Sequence, residues 1–493
     1  MRAPLRVVAV DLGAESGRCA VGEFDGSTIR LAEVHRFANI PVQLPDGLHW
    51  DVLRLFEEVK VGVRRAHLEG ALASLGLDTW GVDFALLDRD GALIHNPYHY
   101  RDRRTEGILD IAFRRVPREE IFARTGIQIM PINTLYQLLA MARSAALEHA
   151  HRLVMMPDLF NYWLTGQVGC EFTEATTSQC YDPLAGGWAL DLLEHLGLPT
   201  HLFPGIVACG TLLGPVHPSL AEEVGEPDLR VIATASHDTA AAVAAVPAAG
   251  PNFAFVSAGT WLLIGTEVSS PQITPQTFKD NFTNEGGVGG RFLLMRNVTG
   301  LWLLQESLRH WSARDEGLTY DLLTREAEEA APFGPVVDPD DESFLRPTDM
   351  PLRIREYCRS SGQRVPENRG EVTRCILESL ALKCRWVVDR LERLLGRGIE
   401  VIHMVGGGSR NALLCRLTAG ATGRPVEAGP LEATAMGNAL TQLQTLGQIH
   451  TLEEMRQVVR QSVTVTPYAP ADRDRWAEAY DRFLRLPAVR AVP

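Results

Sequence analysis

The chain has 493 residues, 45% of them hydrophobic and 22% charged, which is an ordinary globular composition long enough for two or three domains with sizeable cores. A net charge of −13 argues against general affinity for nucleic acid or an anionic membrane surface. No apolar run approaches the roughly 20 residues of a membrane helix. Arg2 and Arg6 lead straight into a short strand, so no signal peptide is expected and the expected location is cytoplasmic. The eight cysteines form no Cys-x-x-Cys pair, which removes zinc-ribbon and thioredoxin readings and leaves small buried thiols in a reducing compartment. Cys358 and Cys375 flank a polar loop, where oxidation would be needed to pair them.

In chain order, Leu5 to Val10 reads as a buried strand by its length and branched residues. Asp11-Leu-Gly-Ala-Glu-Ser-Gly-Arg18 follows, then strands over Cys19–Phe24 and Ile29–Phe37 joined by an Asp25-Gly26 turn. The first turn is expected to be a loop of five to eight residues. It is either a plain hairpin loop or a phosphate clasp, with glycine-freed N–H groups, a Ser16 donor, Arg18 charge, and Asp11 holding Mg²⁺. Asp51 caps a helix running to His67.

Leu77 to Phe84 is a strand interrupted by Gly81, and Asp83 lies in an apolar segment where a carboxylate is costly unless paired or open to a cleft. Tyr98 to Thr105 mixes aromatics and charges, as a cleft wall or an ion-paired surface loop would. His95 and His99 have a zinc-like spacing, but Asn96-Pro97 between them breaks any helix. Helices are expected over Thr134–Met141 and from Pro157, with Asp158 in the first turn. Thr173 to Ser178 reads as a polar loop.

Val231–Ala233 is a buried strand and Thr239–Val246 an Ala-rich helix. Asp238 between them is either a first-turn carboxylate satisfying the helix end or a general base at a strand end facing a cleft. Pro247 to Asn252 is the expected domain boundary, dividing 1–246 from 247–493.

Beyond it the opening pattern returns. Phe253–Val256 is a strand, Ser257-Ala-Gly-Thr260 a small-residue turn, and Trp261–Thr266 a strand, which indicates an internal duplication of architecture with a cleft between the two lobes. Asn281–Gly290 reads as a hairpin loop and Leu293–Arg296 as a strand ending at Asn297. Helices follow over Gly300–Glu306, Thr319–Ala331, Met350–Arg359 and Glu371–Leu395, with Asp338–Glu342 a solvated acidic loop. Val401–Val405 is a strand running through Gly406-Gly-Gly-Ser-Arg-Asn411 into a helix, a geometry that presents N–H groups to an anion. Glu432–Gly437 opens a small-residue helix suited to close packing, and everything beyond Leu452 reads as helical.

No Gly-Lys pair exists, so the Walker loop is excluded, and protein-kinase motifs and Gly-x-Ser-x-Gly are also missing. Three small-residue turns, a metal-holding carboxylate and a central Asp are the parts phosphoryl transfer needs. The chain resembles the FGGY family of carbohydrate kinases over nearly its whole length. The likeness rests on Val10–Arg18, Asp78–Phe84, Tyr100–Thr105, Asn133–Leu138, Ala235–Ala240, Ser257–Trp261, Thr283–Gly287, Gly300–Gln305 and Gly406–Asn411.

The resemblance implies an α/β, two-lobed actin-like (ribonuclease H-like) fold with an interdomain cleft, the sugar in the first lobe and MgATP in the second. It implies Asp238 as the base for a ketose hydroxyl, with Gly81, Asp83, His237, Thr239 and Asn297 around the sugar. Ala14, Glu15, Ser16, Gly17 and Arg18 would hold phosphates with Thr260 opposite, Gln305 and Gly407 would lie along the nucleotide, Asn411 near adenine, and Asp11 at Mg²⁺. Many members have Thr where Ala14 stands, and Glu15 puts a negative charge beside the phosphates. The branch most resembled acts on L-rhamnulose. Fuculose, ribulose, xylulose or glycerol remain alternatives, as does a non-catalytic sugar sensor, against which the presence of Asp238, Asp11 and all three turns argues. A monomer or homodimer is expected.

Overall fold

The computed structural model describes residues 4–313, 315, 317–345 and 349–490. The first of its two large sheets contains β1 (Leu5–Leu12), β2 (Ser16–Phe24), β3 (Ile29–Ala38), β4 (Ser74–Thr79), β5 (Thr211–Pro215) and β6 (Arg230–Ala233), in the order β5-β6-β4-β1-β2-β3. β1 to β3 form an antiparallel meander, and β4 and β6 run parallel to β1. Val7 to Val10 sit mid-sheet, covered on both faces, which is why that run is apolar without alternation. Helix α1 (Val52–Leu68) covers one face with Val52, Leu55, Val59, Val63 and Ala66, and Asp51 caps it by accepting from Arg54 N at 3.2 Å. Two short helices, α2 (Phe172–Thr177) and α3 (Asp238–Ala244), complete the site end of this half.

The second sheet contains β7 (Phe253–Ala258), β8 (Trp261–Val268), β9 (Thr283–Gly286), β10 (Phe292–Thr299), β11 (Val401–Val405), β12 (Val426–Ala428) and β13 (Thr466–Tyr468), in the order β9-β10-β8-β7-β11-β12-β13. Its stretch β10-β8-β7-β11-β12 repeats β3-β2-β1-β4-β6: three antiparallel strands, then two parallel ones. The duplication expected from the repeated strand–turn–strand pattern is therefore present in the topology. This half also carries α4 (Trp302–Ser312), α5 (Arg369–Leu395), α6 (Ala412–Thr422) and α7 (Ala433–Thr445).

Helices α3 and α7 pack together between the sheets, and their small residues permit it. A Cβ at Gly437 would stand 1.8 Å from the Ala241 carbonyl oxygen, so only glycine allows this approach. Helix α7 also closes over the first sheet: Gln442 Nε2 donates to the Val8 carbonyl (2.9 Å) and accepts at Oε1 from Ser74 (2.7 Å).

Several local expectations are corrected. The first turn is three residues, Gly13–Glu15, and Ser16 to Arg18 already belong to β2. Thr173–Ser178 is mostly helix α2, because Glu171 Oε2 caps it by accepting from Thr173 N (2.9 Å) and Glu174 N (3.2 Å). Asn281–Gly290 contains the buried strand β9. The acidic loop is solvated only at its far end, where Glu342 is exposed: Lys383, buried on α5, binds Asp338 (2.7 Å) and Asp340 (3.0 Å), and Arg296 also reaches Asp340 (3.4 Å). The tail beyond Leu452 includes strand β13. Cys358 and Cys375 are buried free thiols. No helix among the described residues is long and apolar enough to cross a membrane.

Candidate active site

The turns following β1, β7 and β11 converge with the head of α3 on one cavity of about 310 Å³. The first half contributes Ala14, Glu15, Ser16 and Arg18, then Gly81, then His237, Asp238 and Thr239. The second half contributes Thr260, Asn297, Gln305 and Gly407. Four residues singled out in the sequence lie outside the cavity lining: Asp11, Gly17, Asp83 and Asn411.

Asp238 is the first residue of α3, with His237 as N-cap in extended conformation. The helix end favours a carboxylate there. The side chain is nevertheless 32% exposed, toward the cavity, so it is more than a cap. Thr239 Oγ1 donates to Asp238 Oδ1 (3.1 Å), and His237 Nε2 stands 3.4 Å from the same oxygen. Poor solvation in the cleft raises the carboxyl to about 6, with the Thr239 hydrogen bonds opposing. That places a proton acceptor near neutral pH, with Oδ2 free of any hydrogen bond among the described residues.

Asp11 is buried at the end of β1, in register with Asp78 on the parallel strand β4. Burial raises the Asp11 carboxyl, while Arg18, whose Nε lies 3.1 Å from Oδ2, pulls it down. Burial also lifts Asp78 well above its ordinary range, and the Asp11 charge adds to this. Asn438 of α7 donates to Asp78 Oδ2 (2.6 Å), and Asp78 Oδ1 has no hydrogen-bond partner among the described residues. Arg18 reaches on to Glu432, at the head of α7, binding the start of β2 to the second half. Sequence reasoning gives Asp78 no role, and the available signal is a carboxylate directly following the apolar Leu75-Gly-Leu77 on the same strand.

Gly81 and Val82 form one wall of the cavity. Val82 adopts φ 71°, unusual for a branched residue, and two helices hold it. Its N–H donates to Thr177 Oγ1 of α2 (3.0 Å), and its carbonyl accepts from Thr134 Oγ1 (2.6 Å). Nothing in the sequence signals this conformation. Asp83, expected in the site, lies behind the wall. It accepts from Trp50 Nε1 (2.6 Å), Trp80 Nε1 (3.0 Å), Tyr100 N (3.2 Å) and Gln137 Nε2 (2.7 Å), which satisfies the buried carboxylate internally. Asn411, expected near adenine, caps α6 by accepting from Leu414 N (2.9 Å).

Two contacts cross the mouth of the cleft, both made by the first turn of α4. Gln305 Nε2 donates to Glu15 Oε2 (3.0 Å). The Arg101 guanidinium lies 4.1 Å from the Trp302 ring centroid and 5.0 Å from that of Trp261.

The signatures of the FGGY family of carbohydrate kinases match residues 6–245 (N-terminal domain) and 254–446 (C-terminal domain). The chain belongs to the FGGY family of carbohydrate kinases. This FGGY kinase is 43% identical over 478 residues to a curated protein of Bacteroides thetaiotaomicron named rhamnulokinase, covering 96% of this chain and 98% of that one. It is 37% identical over 465 residues to a rhamnulokinase of Oceanobacillus iheyensis, covering 94% and 98%.

Among solved structures the FGGY kinase superposes on gluconate kinase from Lactobacillus acidophilus with TM-score 0.79 at 17% identity, covering 99% and 98% of the two chains. Plasmodium falciparum glycerol kinase with ADP gives 0.76 at 14% identity, covering 98% of each. These likenesses establish the two-lobed actin-like α/β fold. As a carbohydrate kinase, the FGGY kinase is an enzyme that uses ATP.

Proposed function

We propose that this FGGY kinase is a rhamnulokinase, transferring the γ-phosphoryl group of ATP to the 1-hydroxyl of L-rhamnulose to give L-rhamnulose 1-phosphate and ADP. The observation that carries the proposal is the full-length identity with curated rhamnulokinases, together with a partly exposed carboxylate, Asp238, at the cavity between the lobes.

Residues 1–246 hold the sugar and 247–493 the nucleotide in this reading. MgATP, when bound, supplies the transferable phosphoryl group and a cation that spreads its charge. The donor set suits such a cation. Asp11 is a buried carboxylate paired with Arg18, and among the described residues no cluster of three His, Cys, Asp or Glu forms a metal cage. A hard ion held mostly by phosphate and water oxygens needs no more than one or two carboxylates. Asp11 would hold it, and backbone N–H groups of the β1–β2 and β7–β8 turns would face the phosphates with Ser16 and Thr260. Gln305 and Gly407 would lie along the nucleotide. Gly81, His237, Thr239 and Asn297 would orient the sugar so that its hydroxyl meets Asp238 Oδ2, which takes the proton as the oxygen attacks phosphorus. Drawing the lobes together excludes water from this step.

The test is ADP release by purified protein with MgATP and, separately, L-rhamnulose, L-fuculose, L-ribulose, xylulose or glycerol, with a no-sugar control. Preference for L-rhamnulose, and a loss of roughly 10²–10⁴ in kcat for Asp238→Asn with ATP affinity unchanged, is expected. Turnover confined to another sugar would overturn the substrate, and a fully active Asp238→Asn would overturn the base.

A further inference from the structure

Strand β9 brings Glu285 to the cavity wall, beside the residue pair at the head of α3. Glu285 Oε2 lies 3.3 Å from His237 Nδ1, and the opposite ring nitrogen, Nε2, lies 3.4 Å from Asp238 Oδ1. Nδ1 and Oε2 are fully buried, face each other at that distance, and make no hydrogen bond to any other group among the described residues, so only a proton placed between them satisfies either. The second carboxyl oxygen, Oε1, accepts from Thr283 Oγ1 (3.1 Å). One imidazole therefore stands between two carboxyl groups, one from each lobe.

Few proton placements satisfy this row. A neutral imidazole with its hydrogen on Nδ1 turns a lone pair toward Asp238 and repels the ionised carboxylate. With the hydrogen on Nε2 it donates to Asp238, but then Nδ1 is an acceptor and Glu285 must supply the donor. We propose that Glu285 is a positioning residue for phosphoryl transfer: as a carboxylic acid it donates from Oε2 to His237 Nδ1, so that His237 donates from Nε2 to Asp238 Oδ1. Asp238 then stays ionised, with Oδ1 tied by His237 and Thr239 and Oδ2 left for the substrate hydroxyl. The inference rests on the reading of Asp238 as base.

The surroundings favour this arrangement. Burial raises the Glu285 carboxyl and lowers the basicity of His237, both of which disfavour an imidazolium–carboxylate pair. The charged or titratable groups facing Glu285 are His237 and Asp238 at the head of α3 and Glu174 on α2, and the acids among them oppose a further negative charge. The row is also rigid. Gly286 N donates to Thr176 Oγ1 of α2 (2.7 Å) and Asn284 Nδ2 to the Gly126 carbonyl (2.9 Å), so β9 of the second sheet is pinned to the first lobe.

The experiment compares wild type, Glu285→Gln, Glu285→Leu and Asp238→Asn by ADP release with L-rhamnulose, and reads the His237 tautomer by ¹⁵N NMR. Glu285→Leu removes the donor and should lower kcat about 10–100-fold with the KM for ATP within about twofold of wild type. Glu285→Gln retains an N–H donor for Nδ1 and should recover most of that loss. His237 should appear as the Nε2–H tautomer in wild type and in Glu285→Gln. A Gln variant as slow as Leu, or an imidazolium or Nδ1–H tautomer in wild type, would overturn the inference. The tautomer measurement on wild type needs no variant to fold. An active Asp238→Asn would remove the base itself, and the inference with it, through a signature that the Gln–Leu comparison does not share.

Discussion

Glu15 of the first lobe accepts a hydrogen bond at Oε2 from Gln305 Nε2 of the second, 3.0 Å away, directly across the mouth of the cleft. This gives a role to a carboxylate that otherwise stands as a like charge beside the expected phosphates: it is an anchor for α4.

Gln305→Ala should therefore raise the KM for ATP several-fold, since an ordinary side-chain hydrogen bond is worth about 0.5–1.5 kcal/mol, and should leave the KM for sugar unchanged. Glu15→Gln keeps an acceptor and removes the charge, so its KM for ATP should be equal to or below that of wild type. Steady-state kinetics with each substrate varied separates the two. A rise in the Glu15→Gln variant would mean that the charge itself helps nucleotide binding.

The pH profile follows from Asp238. Its carboxyl is raised to about 6 and acts as base only when ionised, so it retains its proton, and is inactive, below that pH. kcat/KM should fall about tenfold per pH unit below about 6 and level off above it. The residual rate of Asp238→Asn should lack this limb. A limb that persists in the variant would assign it to another group.

Arg101 in its aromatic cage should help hold the lobes together. Replacing it with Ala removes a cation–π contact of about 0.5–2 kcal/mol and should raise the KM for both substrates, because Arg101 joins Trp302 and Trp261 to the first lobe. Tryptophan fluorescence with and without substrates would report the looser closure.

Gly437→Val would drive a side chain into the Ala241 backbone. Overpacking of this kind costs roughly 1–3 kcal/mol, visible in urea unfolding. Because α3 carries Asp238, kcat should fall more than nucleotide affinity.

Lys383→Met would leave Asp338 without its buried cation and Asp340 with Arg296 alone. Breaking a buried pair from one side costs about 3–5 kcal/mol, so Tm should drop markedly while the KM values of the remaining folded enzyme hold.

Where burial is set by a continuous run or a helical stripe, the sequence was readable: β1, α1 and β7 stand where the pattern indicates. It failed where a remote partner decides the matter. Asp83 is an acid in an apolar run with two solutions, an open cleft or internal donors. Its donors, Trp50 and Gln137, are distant in sequence and invisible to local reading. The Thr-rich segment is too short and polar to show helical periodicity, and its helix depends on the Glu171 cap. Asp338 and Asp340 looked solvated because their cation, Lys383, lies on another element.

Helix α7 has a consequence for how the protein is made. Residues 433–445 supply Gln442 to Val8 and Ser74, and Asn438 to Asp78. As the polypeptide leaves the ribosome, its first sheet is complete in strands soon after Ala233, yet one face stays bare until a helix encoded far downstream arrives. At about 5–20 residues per second, that delay is on the order of ten seconds or more. During this window the nascent first half exposes Val7, Ala9 and a buried carboxylate, and is a natural client for chaperones.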